Sequence, residues 1–254
     1  MMMADKPVLF IKKEHAGYIT LNLPEAGNEL NLDTIRNLVE ICTQINGDEE
    51  IYLTVITGAG DVFCTGENNA LQRADEGPGS VSDAGAIAGL DCPTIAAING
   101  DAIGPGLELA LACDLRIAAD KAKFGLPQIA YGKIPQDGGT QRLSRLVGRG
   151  KALELMLTGE IIDAQTALEI GLVNKIVPGD TLDREIEAIA QTLAAKAPLA
   201  MRYAKEAVNK GLDLTLEQGL RLEADLYFLL HTTADRTEGI TAFLQKRKPE
   251  YKGR

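Results

Sequence analysis

The sequence predicts an α/β core followed by a C-terminal helical module. Up to about Gly148, short apolar runs typical of buried strands alternate with segments of helical periodicity. From Gly148 onward, almost every signal is helical. Strands that alternate with helices favour an α/β fold, and consecutive helices favour a layer of their own. We therefore place the core in residues 1–195 and the helical module in residues 196–254.

The elements of the core follow from local patterns. Predicted strands, which are alternating or continuously apolar runs bounded by turn residues, cover residues 8–13, 18–23, 53–57, 93–98, 115–118 and 123–125. A turn at residues 14–17 joins the first two strands as a hairpin. Asn31 or Asp33 is predicted to cap the helix that follows. Residues 75–82 are rich in helix- and strand-breaking residues, which predicts a mobile loop.

The C-terminal part of the chain carries further capping signals. Asp163 is predicted to cap a helix that ends at Gly171. Asp180 is predicted to cap a long amphipathic helix, and Pro198 to begin the next one. The apolar surface of the last helices, among them residues 214–230, is more than one protomer can cover, which predicts self-association.

Composition and charge exclude several classes of function. The chain has 254 residues, of which 45% are hydrophobic and 24% charged, the mix of a globular protein that buries a core. The formal net charge of −10 argues against nucleic acid as a partner, because duplex binding needs clustered Lys and Arg. No run approaches the roughly 18 apolar residues of a membrane span, and the N-terminus lacks the apolar centre of a signal peptide. No membrane partner is expected.

Cysteine and histidine usage narrows the chemistry further. The four cysteines are scattered in apolar stretches without the spacing of a metal or redox motif. We expect them to be core thiols, with no metal site, in a cytoplasmic protein. The two histidines are His15 and His231, and no Gly-x-Ser-x-Gly motif is present, so a Ser-His-Asp hydrolase is not expected.

Residues 98–114 carry the most informative pattern. A predicted strand leads into Gly100, Gly104 and Gly106, and an apolar helix begins directly afterwards with Glu108 in its first turn. Glycines allow a tight turn and the close approach of a ligand, while the first N–H groups of a helix lack partners within it. The pattern predicts a site for an oxyanionic group with an acid beside it. The alternative is a tight connection before a charge-capped helix.

Four motifs occur in order along the chain. They are residues 63–67 (Phe-Cys-Thr-Gly-Glu), residues 97–110 with the glycine turn, residues 124–143 (from Phe-Gly-Leu-Pro-Gln to Gly-Gly-Thr-Gln-Arg-Leu) and residues 238–249 (from Glu-Gly-Ile to Lys-Arg-Lys-Pro). Through these motifs the chain resembles the crotonase superfamily, the enoyl-CoA hydratases and isomerases, over essentially its whole length. The resemblance implies a ββα superhelix with a C-terminal helical trimerisation region, assembled as a homotrimer or a dimer of trimers. It also implies an acyl-CoA thioester as substrate, so coenzyme A belongs to the substrate and no separate cofactor is expected.

The resemblance implies an oxyanion hole made of two backbone N–H groups, which polarise the thioester carbonyl and stabilise an enolate. Matching positions assign the first donor to Glu67. The second position is occupied by Pro105, which has no N–H. Either Gly106 or Leu107 donates in its place, or the site works with one backbone donor.

The acid–base residues depart from the family's pattern as well. Hydratases of this family use two glutamates, of which the first is present as Glu108 and the second maps to Gln128. An amide orients a water molecule but cannot exchange a proton, which puts water addition by two carboxylates in question. Asp137 is a candidate replacement, since other members of the family place an acid in this loop. Its alternative role is that of a turn residue before two glycines.

The resemblance also implies contacts to coenzyme A. The C-terminal helix of the family supplies a cation and an aromatic side chain, matched here by Lys246 and Phe243, with Tyr227 as a further aromatic. These contacts often cross a subunit boundary. The adenine cleft is expected near Gly66, Asn68 and Leu71, where asparagine replaces the family's usual aspartate.

Four functions remain open on the sequence. The leading one is hydration of an enoyl-CoA, or the reverse dehydration, because Glu108 is retained. The altered second acid suggests instead an enoyl- or dienoyl-CoA isomerase, or a hydratase of a cyclic or conjugated dienoyl-CoA. Hydrolysis of a carbon–carbon bond or decarboxylation of a β-keto-acyl-CoA is a third alternative. A non-catalytic CoA-binding protein is the fourth.

Overall fold

Six strands of the described chain form the larger sheet. The structure is a computed structural model, and it describes residues 6–66 and 83–254. The bounds of these strands are Val8–Lys13 (β1), Ala16–Leu21 (β2), Leu53–Gly58 (β3), Thr94–Ile98 (β4), Leu115–Ala119 (β6) and Lys175–Val177 (β9). They lie side by side in the order β1-β2-β3-β4-β6-β9. The first pair is antiparallel and all later pairs are parallel.

A smaller sheet is formed by three short strands of the described chain. It consists of β5 (Ala102–Ile103), β7 (Lys123–Gly125) and β8 (Ile162–Asp163), in the order β5-β7-β8. Cys64 forms an isolated bridge to Ala102 at its edge. The chain therefore passes from the larger sheet to the smaller one within the glycine-rich loop that follows β4.

The helices cover the larger sheet and then continue as a C-terminal group. Their bounds are Leu32–Asn46 (α1), Asp83–Ala88 (α2), Pro105–Leu111 (α3), Gly139–Val147 (α4), Arg149–Thr158 (α5), Ala164–Glu169 (α6), Leu182–Ala194 (α7), Pro198–Gly211 (α8), Leu216–Leu230 (α9) and Ala234–Gln245 (α10). The order of strands and helices confirms the α/β core with a helical C-terminal region.

Apolar side chains fill both faces of the larger sheet. Successive residues of a strand point to opposite faces, so Val55 and Ile56 belong to different apolar clusters. The cluster that contains Ile56 lies against α1, α2 and α3, and the cluster that contains Val55 lies against α7 through Ile186. Every residue of β4 is buried, because a central parallel strand is covered on both faces. The strand that leads into the glycine loop is therefore anchored on every side.

The N-terminal predictions are confirmed with small shifts. The hairpin turn is shorter than predicted, since β2 begins at Ala16 and Glu14 takes a positive φ of 50° in the turn. Of the two candidate caps, Asn31 caps α1, because its side chain accepts a hydrogen bond from the N–H of Thr34. Residues 75–82, predicted as a loop, lie outside the described residues.

Two predictions for the C-terminal part were wrong. The stretch after Gly148 contains the strands β8 and β9, which are too short to show a periodicity of their own and are stabilised by pairing with β7 and β6. Asp180 lies within a short 3₁₀ turn, and the following helix has Thr181 at its N-cap without a side-chain cap. Asp163 does cap α6 by accepting from the N–H of Thr166, as predicted.

The cysteines are core residues, as predicted. All four are free and buried. Burial raises the pKa of the thiols of Cys42 and Cys113 to about 12, so both remain protonated and unreactive at neutral pH. Within residues 6–66 and 83–254, no three or more His, Cys, Asp or Glu side chains are grouped to hold a metal ion. No helix in these ranges is long and apolar enough to span a bilayer.

Candidate active site

The glycine loop has the predicted strand–turn–helix geometry. β4 ends at Ile98, and α3 begins at Pro105 with Gly104 as its N-cap. Gly104 has φ 57° and ψ −123°, a conformation that side-chain-bearing residues rarely adopt. Its N–H donates to the carbonyl of Gly125 at 2.8 Å, and the N–H of Ile103 donates to that of Cys64 at 3.0 Å. The loop is thus fixed between the two segments that flank it.

The first turn of α3 packs closely against residues 64–66. A Cβ atom on Gly106 would lie 2.0 Å from the carbonyl oxygen of Cys64, so only glycine fits there. Gly66 has φ 55°, and a Cβ on it would lie 3.0 Å from Cδ of Pro105. The start of α3 and the residue before Glu67 are therefore neighbours. Glu67 itself, the first predicted oxyanion donor, lies outside the described residues.

Two backbone N–H groups next to Pro105 are available in place of the N–H that proline lacks. Pro105 is the first residue of α3, where proline is well tolerated. The N–H of Glu108 donates to the carbonyl of Gly104 at 3.1 Å. Among the described residues, the N–H groups of Gly106 and Leu107 donate to no acceptor. Helix N-termini attract negative charge through such groups, so either residue can serve an oxyanion.

Glu108 is buried at the centre of a hydrogen-bonded arrangement. Its side chain is in the first turn of α3, and the residue is 2% exposed. Oε1 accepts from the N–H groups of Asp137 at 2.7 Å and Gly139 at 2.9 Å. Oε2 accepts from Nε2 of Gln128 at 3.2 Å. An ionised carboxylate is an acceptor only, and it matches these three donors. The acid is held in one position beside the glycine loop.

Gln128 lies opposite Glu108 on a short 3₁₀ helix, Pro127–Tyr131. Its Nε2 is directed at Glu108, whereas its Oε1 is buried and has no hydrogen-bond partner among the described residues. A Cβ on Gly104 would lie 3.8 Å from this Nε2, so the amide also faces the glycine loop. The structure therefore brings the predicted pair of Glu108 and Gln128 together.

Asp137 lies on the other side of Glu108 and is 8% exposed. Its Oδ2 accepts from the N–H of Ala84 at 2.9 Å, at the start of α2. Its carbonyl accepts from Nη1 of Arg142 at 2.7 Å. The side chain thus joins the loop before α4 to the segment that follows residues 67–82. A carboxylate in this place fastens the loop and retains the capacity to exchange a proton.

The predicted coenzyme A contacts lie on the C-terminal helices. Tyr227 of α9 is 62% exposed and Phe243 of α10 is 82% exposed. Lys246 is exposed directly after α10, with φ 55°. Its neighbour Arg247 pairs with Glu238, and this ion pair and hydrogen bond hold the pKa of Glu238 at about 2. Asn68 and Leu71, predicted for the adenine cleft, lie outside the described residues.

Sequence reasoning missed the residues that hold the acid. The N–H of Gly139 and the backbone of Asp137 position Glu108, and Arg142 positions Asp137. A Cβ on Gly139 would lie 3.0 Å from Cγ of Glu108, so the glycine pair before α4 is required for this contact. The two consecutive glycines, which are part of the motif at residues 124–143, were the sequence signal that could have predicted this close contact with Glu108.

Comparison with known proteins decides the family. The family model described as "Enoyl-CoA hydratase/isomerase" matches residues 12–254. The chain belongs to the enoyl-CoA hydratase/isomerase family. The chain is 40% identical to "Crotonyl-CoA hydratase" of Syntrophomonas wolfei, and the match covers 98% of this chain and 99% of that protein. It is 37% identical to "Short-chain-enoyl-CoA hydratase" of Clostridium acetobutylicum, over 96% of each chain.

Solved structures agree with the assignment. The crystal structure of enoyl-CoA hydratase from Bacillus anthracis matches with a TM-score of 0.92 and 40% identity, over 98% of this chain and 100% of that one. The expected crotonase fold is confirmed, and the chain is an enzyme of the enoyl-CoA hydratase/isomerase family. The names of these relatives favour the hydratase reaction over the other three functions left open by the sequence.

Proposed function

We propose that the enzyme adds water across the double bond of a short-chain 2-enoyl-CoA thioester and catalyses the reverse dehydration. The observation that carries this proposal is the place of Glu108. Its buried carboxylate lies in the first turn of α3, beside N–H groups that have no acceptor among the described residues. An acid and an oxyanion site are thereby adjacent, as addition to a conjugated thioester requires.

The chemistry follows from these two parts. Backbone N–H groups at the start of α3, together with Glu67, bind the thioester oxygen and stabilise the enolate that forms when water attacks the β carbon. A correctly placed donor of this kind contributes about 3–4 kcal/mol to transition-state stabilisation. Glu108 exchanges the proton. Coenzyme A enters as part of the substrate, and no further cofactor takes part in this scheme.

The reaction is tested with a panel of thioesters. Purified enzyme is mixed with crotonyl-CoA, a cyclic enoyl-CoA, a conjugated dienoyl-CoA and a β-keto-acyl-CoA, and products are identified by mass. We expect hydration of crotonyl-CoA at a rate at least about 10²-fold above the release of any product from the β-keto-acyl-CoA, because the site holds an acid placed for proton transfer. Isomerisation or carbon–carbon cleavage without hydration would refute the proposal.

We propose that coenzyme A contacts come from the C-terminal helices of a neighbouring subunit. Tyr227, Phe243 and Lys246 are exposed on one protomer, and they supply the aromatic surface and the positive charge that an adenine and phosphates require. In an acidic chain, a cation beside the site is needed for a polyanionic ligand. Free, buried thiols fit the reducing cytoplasm, which we propose as the location.

A homotrimer or a dimer of trimers is proposed on the exposed apolar surface of α9 and α10. The exposed large apolar side chains of these helices include Leu216, Leu220, Tyr227, Phe228, Phe243 and Leu244. Exposed apolar surface on this scale marks an interaction site. Light scattering at micromolar concentration is expected to return about three or six times the chain mass of 27.2 kDa. A monomer mass would contradict the assembly without affecting the assignment of the reaction.

A further inference from the structure

Residues 247–254, which we call the strap, turn back along α10 and are fastened to it by two acidic side chains, Asp235 and Glu238. Lys246, the proposed cation for coenzyme A, is the residue at the turn. We propose that Glu238 is a positioning residue for coenzyme A, because by holding Arg247 it fixes the turn and leaves the ammonium group of Lys246 for the phosphates. The inference rests on the proposed coenzyme A contact of Lys246.

The turn at Lys246 has a backbone conformation that needs support. Its φ of 55° and ψ of 37° lie in the left-handed region, which side-chain-bearing residues rarely adopt. The N–H of Lys246 donates to the carbonyl of Phe243 at 3.2 Å, and the N–H of Arg247 donates to that of Ala242 at 3.0 Å. Helices that end in this way commonly have glycine at the turn. A lysine there persists where the surrounding contacts hold it.

The side chain of Arg247 supplies the first of these contacts. Its Nη1 and Nη2 donate to Oε1 and Oε2 of Glu238 at 2.5 and 2.8 Å. Its Nε donates to Oε1 of Gln245 at 2.8 Å, and Nη1 also donates to the carbonyl of Lys248 at 3.1 Å. A carboxylate that receives two parallel hydrogen bonds from one guanidinium fixes its orientation as well as its distance. The residue directly after the turn is therefore held against α10.

The rest of the strap is fastened to the same face of α10. Oε1 of Glu238 also accepts from the N–H of Glu250 at 2.8 Å. Oδ1 and Oδ2 of Asp235, a buried residue, accept from the N–H groups of Lys252 at 2.7 Å and Gly253 at 2.8 Å. Residues three apart lie on one face of a helix. The strap therefore runs antiparallel to α10, and Glu238 holds the part of it next to the turn.

The strap divides the three cations of residues 246–248 into two kinds. The charge of Arg247 is compensated by Glu238, and this pairing holds the pKa of Glu238 at about 2, so it persists throughout the pH range of an assay. The side chains of Lys246 and Lys248 form no ion pair or hydrogen bond within the described residues. An ammonium group that is free of a carboxylate can bind phosphate as a point charge.

Loss of the pair would affect binding and leave the chemistry unchanged. Without it, Lys246 could adopt other backbone conformations, and its position relative to the aromatic ring of Phe243 on α10 would vary. Ordering the turn again on binding lowers affinity. The acid of the site, Glu108, lies in α3 and keeps its own contacts. An interaction that holds substrate and transition state equally affects KM and not kcat.

The test compares Lys246→Gln, Glu238→Gln and Arg247→Gln at low ionic strength, where exposed charges are least screened. Each variant is assayed with crotonyl-CoA and with crotonyl-pantetheine, a thioester that lacks the nucleotide and its phosphates. We expect the KM for crotonyl-CoA to rise about three- to fivefold in each, the upper range for one exposed ion pair, with kcat within about twofold of the parent enzyme. The KM for crotonyl-pantetheine is expected to stay unchanged.

The matched control is Glu154→Gln, which breaks an exposed ion pair with Lys151 on α5. It is expected to keep both KM values of the parent enzyme. The Kd of free coenzyme A is measured by calorimetry for every variant, so that the result does not depend on turnover. It is expected to rise in parallel with the KM for crotonyl-CoA.

Three results for Glu238→Gln would overturn the inference. An unchanged KM and Kd, alongside a rise in Lys246→Gln, would show that Lys246 needs no support from the strap. A lower KM would show that the released Arg247 is itself a phosphate ligand. An equal rise with crotonyl-pantetheine would show a general disturbance of the fold.

Failure of the proposed function gives different results. If Lys246→Gln leaves KM and Kd unchanged, the proposed coenzyme A contact is wrong, and the role of Glu238 is refuted with it. If the parent enzyme does not hydrate crotonyl-CoA, the proposed reaction is wrong, and the Kd of coenzyme A still decides the role of Glu238.

Discussion

Replacement of Glu108 by glutamine is expected to lower kcat for crotonyl-CoA hydration by at least about 10²-fold, because general acid–base groups contribute about 10²–10⁴-fold. The binding of acyl-CoA is expected to persist, since the change removes a proton-exchanging group and leaves the oxyanion site in place. The amide retains an oxygen for the N–H groups of Asp137 and Gly139. Its NH₂ group can pair with Oε1 of Gln128 once that amide rotates.

The measurement combines turnover, acyl-CoA affinity and thermal unfolding. Glu217→Gln is the matched control, because it makes the same change in the first turn of another helix, α9, on an exposed residue. Its kcat is expected to equal that of the parent enzyme. Full activity in Glu108→Gln would show that this carboxylate only stabilises the start of α3, which is the alternative interpretation of the glycine loop.

Replacement of Gly106 by alanine is expected to have the second largest effect. The added Cβ would lie 2.0 Å from the carbonyl oxygen of Cys64, which is backbone and has no rotamer to escape into. The first turn of α3 must move away, and the N–H groups that we propose bind the thioester oxygen move with it. We expect kcat/KM to fall more than about 10²-fold, the cost of a lost oxyanion donor. The free energy of unfolding is expected to fall by about 1–3 kcal/mol.

Gly150→Ala is the control for this prediction. Gly150 lies in α5, and nothing comes within 4 Å of a Cβ added there. Alanine favours helix over glycine, so the control is expected to be as stable as the parent enzyme or slightly more so. A Gly106→Ala variant with normal kcat/KM would mean that the oxyanion is bound elsewhere than at the start of α3.

Local features of the site were accessible from the sequence. The glycine turn and Glu108 in the first turn of α3 both follow from residue types at short spacing, and the structure confirms them. Conformational preferences act within a few residues, so such patterns survive folding. The same reasoning identified Asp163 as a cap and Asn31 as one of two candidate caps.

Contacts between distant segments were not accessible in this way. The bond between Glu108 and Gln128 spans 20 residues, and only the resemblance to a family placed the two together. The bond between Asp137 and Ala84 spans 53 residues, and no local pattern predicts it. The strands β8 and β9 were not predicted for the same reason, because the strands that they pair with lie elsewhere in the chain. The prediction that Asp180 caps α7 was wrong because Asp180 lies in a 3₁₀ turn that precedes this helix.

The buried position of Glu108 has a consequence for which substitutions evolution can accept there. A buried charge at an active site ordinarily costs stability, so that its loss makes a protein more heat-resistant and less active. Here the same carboxylate is the acceptor for two buried backbone N–H groups. An apolar residue in its place would leave both without a partner, at about 1–3 kcal/mol each. Selection for heat resistance therefore preserves an oxygen acceptor at this position, which glutamate or glutamine supplies, and the chemistry alone requires that the acceptor be an acid.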